Sequence, residues 1–528
     1  MTFSRRGIKM ALAQTSHIVS VLDPGSDELS EAERRRRESM SFTEIISTKI
    51  RLWEERHARD DQELEREEEE RGENLDGWAL LPDIILEKIF SYLNIEKKYY
   101  ASVTCRNWYR AFHLPRVWWD FVMNDTTLTR SRFDYGEKCW RHVLEHHRTQ
   151  EMIRKVGSRI RSLSLHPTSF AGLFAHFHFM NHISSYAERY LNDPMSPNAC
   201  KFNLESFRFS FFCDIQTRDE HFIYGTGGEI LGCLKRVIGN LTTLRSLGLF
   251  DLLLDESEAM TLLDDACLTL CERLTHLALI NASKYPLELL HPAVFVNLVK
   301  LHISPQNLGD ELVQVLSASG LEEMHIVQNS YTETAVAVSA KCWLLAQFKV
   351  YLRTWSNVHR DIIWQEKAPC VSVIYDSPMT KPSAESMLTT TDLYPALTEF
   401  GYLAIPRFRS SRKFVNRIDA PLLRFCRRSP YLTTLYVRDR ISTSTALLIV
   451  SMSPNLKYFV VRRNALLKKR DYMFHDDLHL DYNFRQWIKI NCKSYEKTTR
   501  EISKILGISW RPMSDKEFKI FCQQHPAY

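Results

Sequence analysis

Apolar residues recur along most of this chain in a fixed triplet: one apolar position, two residues, a second apolar position, one residue, and a third. From about residue 155 the copies are Ile160-x-x-Leu163-x-Leu165, Leu204-x-x-Phe207-x-Phe209, Leu244-x-x-Leu247-x-Leu249, Leu274-x-x-Leu277-x-Leu279 and Leu298-x-x-Leu301-x-Ile303. They continue with Leu321-x-x-Met324-x-Ile326, Leu345-x-x-Phe348-x-Val350, Leu397-x-x-Phe400-x-Tyr402, Leu432-x-x-Leu435-x-Val437 and Leu456-x-x-Phe459-x-Val461, and a weaker Ala368-x-x-Val371-x-Val373 falls before 397. The last two positions of each triplet are two residues apart, the period of a strand that buries one face. Leu274, Leu298, Leu321 and Leu345 follow one another at 24, 23 and 24 residues, while other intervals stretch to 30 or 40. Between triplets, residues 310–319, 332–347 and 442–451 carry apolar positions at helical spacing behind a polar cap. A strand and a helix repeated in this way predict an irregular αβ solenoid over 123–470, in which each unit buries its apolar face against the next.

Residues 80–119 follow a different period. Leu81, Ile85, Leu86, Ile89, Phe90 and Leu93 recur at spacings of three and four, which places them on one side of a helix. Pro82 suits its first turn, since it has no N–H to leave unpaired. Val103, Cys105, Trp108, Phe112 and Trp118 continue the apolar pattern in a second short run, with Arg106, Asn107 and Arg110 on its polar side. About 40 residues bury too little surface for a comfortable free domain. The density of aromatic residues therefore predicts an apolar surface shared with a partner or with the next domain.

The spacing Leu81-Pro82-x-x-Ile85-Leu86-x-x-Ile89-Phe90-x-x-Leu93, followed by Cys105-Arg106-x-Trp108 and Trp118, resembles the F-box. Ile84 stands where an acid is usual, Lys97 where an Asp often begins the second helix, and Thr104 where Val usually precedes the Cys. The triplet array resembles leucine-rich repeats, although the Asn usual at the ninth repeat position is supplied only by Asn329 and Asn464. Together these resemblances imply an α/β chain with an N-terminal helical F-box over 77–122, followed by an irregular leucine-rich-repeat-like αβ solenoid. They also imply a substrate-recognition subunit of an SCF-type cullin–RING ubiquitin ligase, with no chemistry of its own. A Skp-family adaptor would dock on Leu81, Pro82, Ile85, Leu86, Ile89, Phe90, Leu93, Cys105, Trp108 and Trp118. Cullin and RING subunits would join through that adaptor, and the array would hold a protein substrate.

Charge changes the picture at both ends. Residues 1–76 are polar and charged, with four arginines at 34–37 and eleven acidic residues between Glu54 and Glu73. Such a segment is expected to be disordered or a single solvated helix. From Arg407 to Arg470 there are sixteen Lys and Arg against two acids, a balance of +14, whereas the whole chain of 528 residues carries +5. Arg407, Arg409, Arg412, Arg427, Arg428, Arg462 and Arg463 are the candidate substrate contacts in this stretch. A positive field there would attract acidic or phosphorylated protein segments, or RNA, which leaves an anion- or RNA-binding adaptor as an alternative function. Residues 471–528 return to a helical pattern, with Phe484, Trp487, Ile488, Tyr495, Ile502, Ile505 and Leu506, and are expected to cap the array.

Little else in the sequence points to chemistry. No run of about 18 apolar residues is present, so no membrane span is expected, and the N-terminus lacks the pattern of a secretory signal. The twelve cysteines are scattered without a C-x-x-C, which fits reduced thiols in cytoplasm or nucleus and neither a disulfide framework nor a zinc module. Gly225-Thr226-Gly227-Gly228 lacks the Lys of a phosphate-cradling loop. His178 and His182 would share a helical face near His176, but without an acid or Cys beside them they read, like His146 and His147, as ordinary histidines. Neither a cofactor nor a metal is expected.

Overall fold

The structure, a computed structural model, describes residues 78–134, 139–196, 198–211, 228–355, 358–408, 411–471 and 481–524. The expectation for 1–76 and most of the glycine-rich 225–228 lie outside these residues. The chain divides into two compact units, 1–82 and 83–528. Of the first, residues 78–82 are described: a turn over 78–80, then Leu81 and Pro82 without regular structure.

The second unit opens with three short helices, α1 (Asp83–Ser91), α2 (Ile95–Ser102) and α3 (Arg106–Phe112), and a 3-10 turn at Pro115–Trp118. Helix α1 begins directly after Pro82, where proline's missing N–H costs the helix nothing. The departure at Lys97 is resolved by Asn94, whose side chain caps α2 by accepting the Lys97 backbone N–H at 2.9 Å. Val103, read from sequence as apolar core, is instead solvent-exposed just past the end of α2.

Strands follow in chain order: β1 (Asp120–Asn124), the pair β2 (Thr129–Asp134) and β3 (Cys139–Leu144), β4 (Ser162–His166), β5 (Ser206–Ser210), β6 (Ser246–Phe250), β7 (His276–Ile280) and β8 (Lys300–Ile303). They continue with β9 (Glu323–Gln328), β10 (Lys349–Trp355), β11 (Cys370–Asp376), β12 (Glu399–Tyr402), β13 (Thr434–Val437), β14 (Ile441–Ser442), β15 (Tyr458–Val461) and β16 (Leu466–Leu467). Twelve of them form one sheet in the order β1-β4-β5-β6-β7-β8-β9-β10-β11-β12-β13-β15, and every neighbouring pair in it is parallel. β2 and β3 pair antiparallel, and β14 pairs with β16.

The helices of the array are α4 (His146–Val156), α5 (Phe170–Asn192), α6 (Gly228–Asn240), α7 (Glu256–Met260), α8 (Asp264–Leu270), α9 (Asp310–Ser317), α10 (Ala340–Trp343), α11 (Ala384–Leu393), α12 (Asp419–Arg428) and α13 (Thr443–Met452). The expected helix over 332–347 shrinks to the single turn of α10. Three further helices close the described chain: α14 (Tyr482–Asn491), α15 (Tyr495–Leu506) and α16 (Asp515–Gln524).

The triplets build the core as their spacing requires. Leu163 and Leu165, Phe207 and Phe209, Leu247 and Leu249, and Leu277 and Leu279 are buried and stand opposite one another from strand to strand. Each first position, such as Ile160, Leu204, Leu244 or Leu274, is buried just before its strand. The rings of Phe121 and Phe179 stack at 5.8 Å between β1 and α5, and those of Phe400 and Phe425 meet at 4.1 Å between β12 and α12.

Two copies depart from expectation. Leu345 is 69% exposed, and Trp343 fills the space beside Phe348 instead. The weak copy at 368–373 slips by two residues: Val373 and Tyr375, not Val371 and Val373, stand opposite Phe400 and Tyr402, and the β10–β11 register shifts between Val350 and Tyr351. The turn after the strands is also satisfied differently from the Asn at the ninth position. Asp251 and Asn281, eighth in their repeats and in the left-handed conformation that Asn and Asp tolerate, bond at 2.7 Å, and Ser304 donates to Asn281 at 3.1 Å.

Past β15, Met513 covers the sheet edge: its N–H donates to the Val461 carbonyl at 2.9 Å and its carbonyl accepts from Arg463 N–H at 2.7 Å. Helix α16 then lies on the face away from the array helices. There Phe518 is buried against Ile374, Leu403 and Tyr436.

Candidate functional site

The adaptor-docking residues named from sequence divide by burial. Leu86, Phe90 and Trp118 are interior; the Trp118 indole N–H donates to the Phe112 carbonyl at 2.8 Å, and Phe90 meets Trp108 edge-on at 5.7 Å. Ile89, Leu93, Cys105 and Trp108 are half-buried, and Ile85 is exposed. In the first unit Leu81 is half-buried and Pro82 exposed. Buried members of this set hold the helices together, whereas exposed ones can meet a partner.

The helices also expose apolar residues that the motif does not mark. Ile84 is 77% and Tyr92 74% exposed, and Tyr99, Tyr100, Val103 and Tyr109 are open as well. Seven large apolar side chains uncovered within about 30 residues exceed the scatter of an ordinary surface. The signal was present at Ile84, an apolar residue where an acid is usual. The tyrosines could not be assigned without the helix phases.

Lys98 anchors this module from within. Its ammonium donates to the Val117 carbonyl at 2.5 Å and lies 5.3 Å from the centroid of Trp118. Burial pulls its pKa down, against the opposing pull of Asp120. Trp118 is also the first position of a further triplet, Trp118-x-x-Phe121-x-Met123, all three buried. Phe121 and Met123 stand opposite Leu163 and Leu165, and the Arg161 and Ser162 N–H groups donate to the Trp119 carbonyl at 2.9 and 2.8 Å. The Arg159 guanidinium donates to the His113 carbonyl at 2.5 Å. The three helices thus run without a linker into the first strand of the sheet.

The basic stretch does not form one surface. Arg417 is buried between Asp419, 2.8 Å away, and Asp471. Arg438 is buried too, donating to the carbonyls of Ser377 at 2.6 Å, Thr380 at 2.5 Å and Leu403. Of the candidate contacts, Arg462 pairs with Asp515 at 2.9 Å beside α16, with Arg463 exposed next to it. Arg427 and Arg428 are exposed at the end of α12, where Arg428 pairs with Asp392 of α11 at 3.2 Å. Arg412 and Arg407 are exposed on the connection before α12, and Arg409 lies outside the described residues.

Burial pushes the thiols of Cys200, Cys233, Cys370 and Cys426 up to about 12, opposite to the shift a thiolate nucleophile needs. His146 and His182 approach within 2.8 Å, but among the described residues no group of three or more His, Cys, Asp or Glu is placed to hold a metal ion. None of the described helices is long and apolar enough to cross a membrane.

Among solved structures, the chain is similar to one from the crystal structure of the Rad7 and Elc1 complex in yeast. The two are 11% identical with a TM-score of 0.34, over 81% of this chain and 95% of that one. A model of the F-box-like family matches residues 78–123. That span holds α1 to α3, the Trp118 turn and most of β1, so the chain carries an F-box-like domain at the head of a parallel-strand α/β solenoid.

Proposed function

We propose that this chain is the substrate-recognition subunit of an SCF-type cullin–RING ubiquitin ligase. The observation that carries the reading is the F-box-like domain at 78–123, with Ile84, Ile85, Tyr92, Tyr99, Tyr100 and Tyr109 open to a partner. In this reading a Skp-family adaptor covers that surface, and cullin and RING subunits follow through the adaptor. Leu81, Pro82, Ile85 and Ile89 take part in the contact, while Leu86, Phe90 and Trp118 keep the helices in place. The organisation is similar to that of F-box only protein 33, and the work takes place in cytoplasm or nucleus.

The mechanism needs no reacting group in this polypeptide. A target held by the solenoid meets the ubiquitin-loaded conjugating enzyme at high effective concentration, so a bimolecular encounter becomes a local one. Direct continuity of α3, the Trp118 turn and β1 favours this, because a stiff connection fixes where the target lysine sits. The alternative of an RNA-binding surface over 407–470 loses Arg417, Arg438 and Arg462 to internal carboxylates and carbonyls.

The test is proteomic. Full-length chain and a Leu81→Ala/Pro82→Ala variant are expressed with the proteasome blocked, and captured proteins and their ubiquitin conjugates are compared. Conjugates that depend on the intact motif support the reading. Equal conjugation of captured proteins with both chains contradicts it.

A further inference from the structure

Charge is segregated along the array. From Asp251 to Glu323 the chain carries twelve Asp and Glu against three Lys and Arg, a balance of −9, opposite in sign to the later 407–470 stretch. Some of these acids serve the fold: Asp251 bonds to Asn281, Glu288 accepts the Leu312 N–H at 2.6 Å, and Glu323 pairs with Lys300 at 2.9 Å. Glu256, Asp265, Glu272, Glu311 and Glu322 are exposed instead, and make no ion pair among the described residues.

Apolar side chains lie open among these acids. On α7, α8 and α9 one spacing recurs: Glu256 and Met260, Asp264 and Leu268, and Glu311 and Val315 stand four residues apart, so each acid shares a helix face with an exposed apolar residue. Leu268 is 83% exposed, and Glu272 lies four residues beyond it. Helix α8, the 3-10 turn His291–Val294, α9 and α10 pack side by side in that order, and Asp264 of α8 meets His291 of the turn at 3.2 Å. Val296 follows the turn 67% exposed, its N–H donating to the Cys271 carbonyl just past α8 at 3.0 Å. On α9 the Gln314 amide, beside Val315, reaches Cys342 of α10 at 3.3 Å, and Leu344 and Leu345 are open just after α10. The apolar row thus crosses successive repeats on the helix side of the array. Single exposed apolar residues are ordinary; a row of them on neighbouring elements, bordered by uncompensated charge of one sign, marks an interaction surface.

We propose that this row docks a basic amphipathic helix of a partner protein, whose apolar face covers Leu268, Val296 and Val315 and whose Lys and Arg side chains meet the flanking acids. Neighbouring helices lie about 8–10 Å apart. A helix advances about 10.5 Å over seven residues, so apolar residues repeated every two turns meet successive repeats in step. The sign of the charge decides between partners: a basic segment is attracted by the −9 balance, whereas nucleic acid and anionic membranes are repelled. The inference deepens the receptor reading by naming the chemistry of what the array grips, and it rests on that reading only for its biological sense.

The test uses the full-length chain without any adaptor, so its outcome is independent of adaptor docking. The probe is a fluorescein-labelled peptide of about 18 residues, long enough as a helix to cross three neighbours, with Leu at heptad-spaced positions and Lys elsewhere. Fluorescence anisotropy at physiological salt compares it with a peptide of the same composition whose Leu residues are shuffled off any one face. The shuffled peptide reads attraction to charge alone, including the acids between Glu54 and Glu73. Saturable binding of the amphipathic peptide is expected, weakened about tenfold or more by Leu268→Ser/Val315→Ser and by Glu272→Lys/Glu311→Lys. The Arg427→Ala/Arg428→Ala double variant should leave it unchanged. All the substituted residues are exposed, and thermal unfolding checks that each variant is folded. No binding to the wild type, equal binding of the shuffled peptide, or undiminished binding to either array variant would overturn the proposal. Self-association in light scattering that the same substitutions abolish would overturn it too, by assigning the row to a second copy of this chain.

Discussion

Phe121 on β1 stands directly opposite Leu163 on β4, and through that pair the F-box-like helices become part of the sheet. Both side chains are buried, and Phe121 also stacks on Phe179 of α5. A Phe121→Ala variant leaves a cavity at this junction and is expected to lose about 3–5 kcal/mol of stability. Chemical denaturation followed by intrinsic fluorescence checks it. A loss below about 1 kcal/mol would show the junction to be loosely packed.

Arg438 and Arg427 illustrate opposite fates for neighbouring cations. Replacing Arg438 by Met removes the donor to the Ser377, Thr380 and Leu403 carbonyls inside the molecule, and is expected to cost about 3–5 kcal/mol. Arg438→Lys should recover little, because a point charge cannot serve a fork of three carbonyls. Arg427→Ala, at an exposed position, should change stability by less than about 0.5 kcal/mol. Parallel urea titrations of the three variants check all three expectations.

Acid should weaken the packing around His302 and His325. Burial and the neighbouring cations Lys300, Arg208 and Arg353 hold His302 down at about 2 and His325 at about 4, although Glu323 pulls the latter upward. In the unfolded chain both imidazoles bind protons near their ordinary value of 6.5. Stability from these groups is therefore complete above pH 6.5 and falls as pH drops from there toward 4, where the unfolded state holds more protons. The wild type is expected to lose stability across that window, and His302→Gln with His325→Gln to flatten the loss. Urea midpoints at pH 7 and pH 4.5 measure it; identical slopes in wild type and variant would contradict the assignment.

Much of this fold was legible because the triplet spacing states two facts at once: a strand period and a buried residue just ahead of the strand. That was enough for Leu244-Leu247-Leu249 and its neighbours. It failed at Leu345, which is exposed like Leu344: the strand register sets Val350 and Leu352, not Phe348 and Val350, opposite Met324 and Ile326. Trp118-Phe121-Met123 is masked in the pattern because Trp118 also ends the helical unit, and one residue serves both. Summed charge over 407–470 could not separate Arg417 and Arg438, which face inward, from Arg427, which does not; only tertiary placement does.

The measurement that bears most directly on the central claim is co-purification of a Skp-family adaptor with the full-length chain. Wild type should retain the adaptor through size exclusion at equal stoichiometry. Leu81→Ala/Pro82→Ala and the surface variant Ile84→Lys/Tyr92→Lys should lose it, while circular dichroism shows the solenoid still folded. Adaptor bound equally by wild type and both variants would contradict the assignment of residues 78–123 as the docking handle of a ligase receptor.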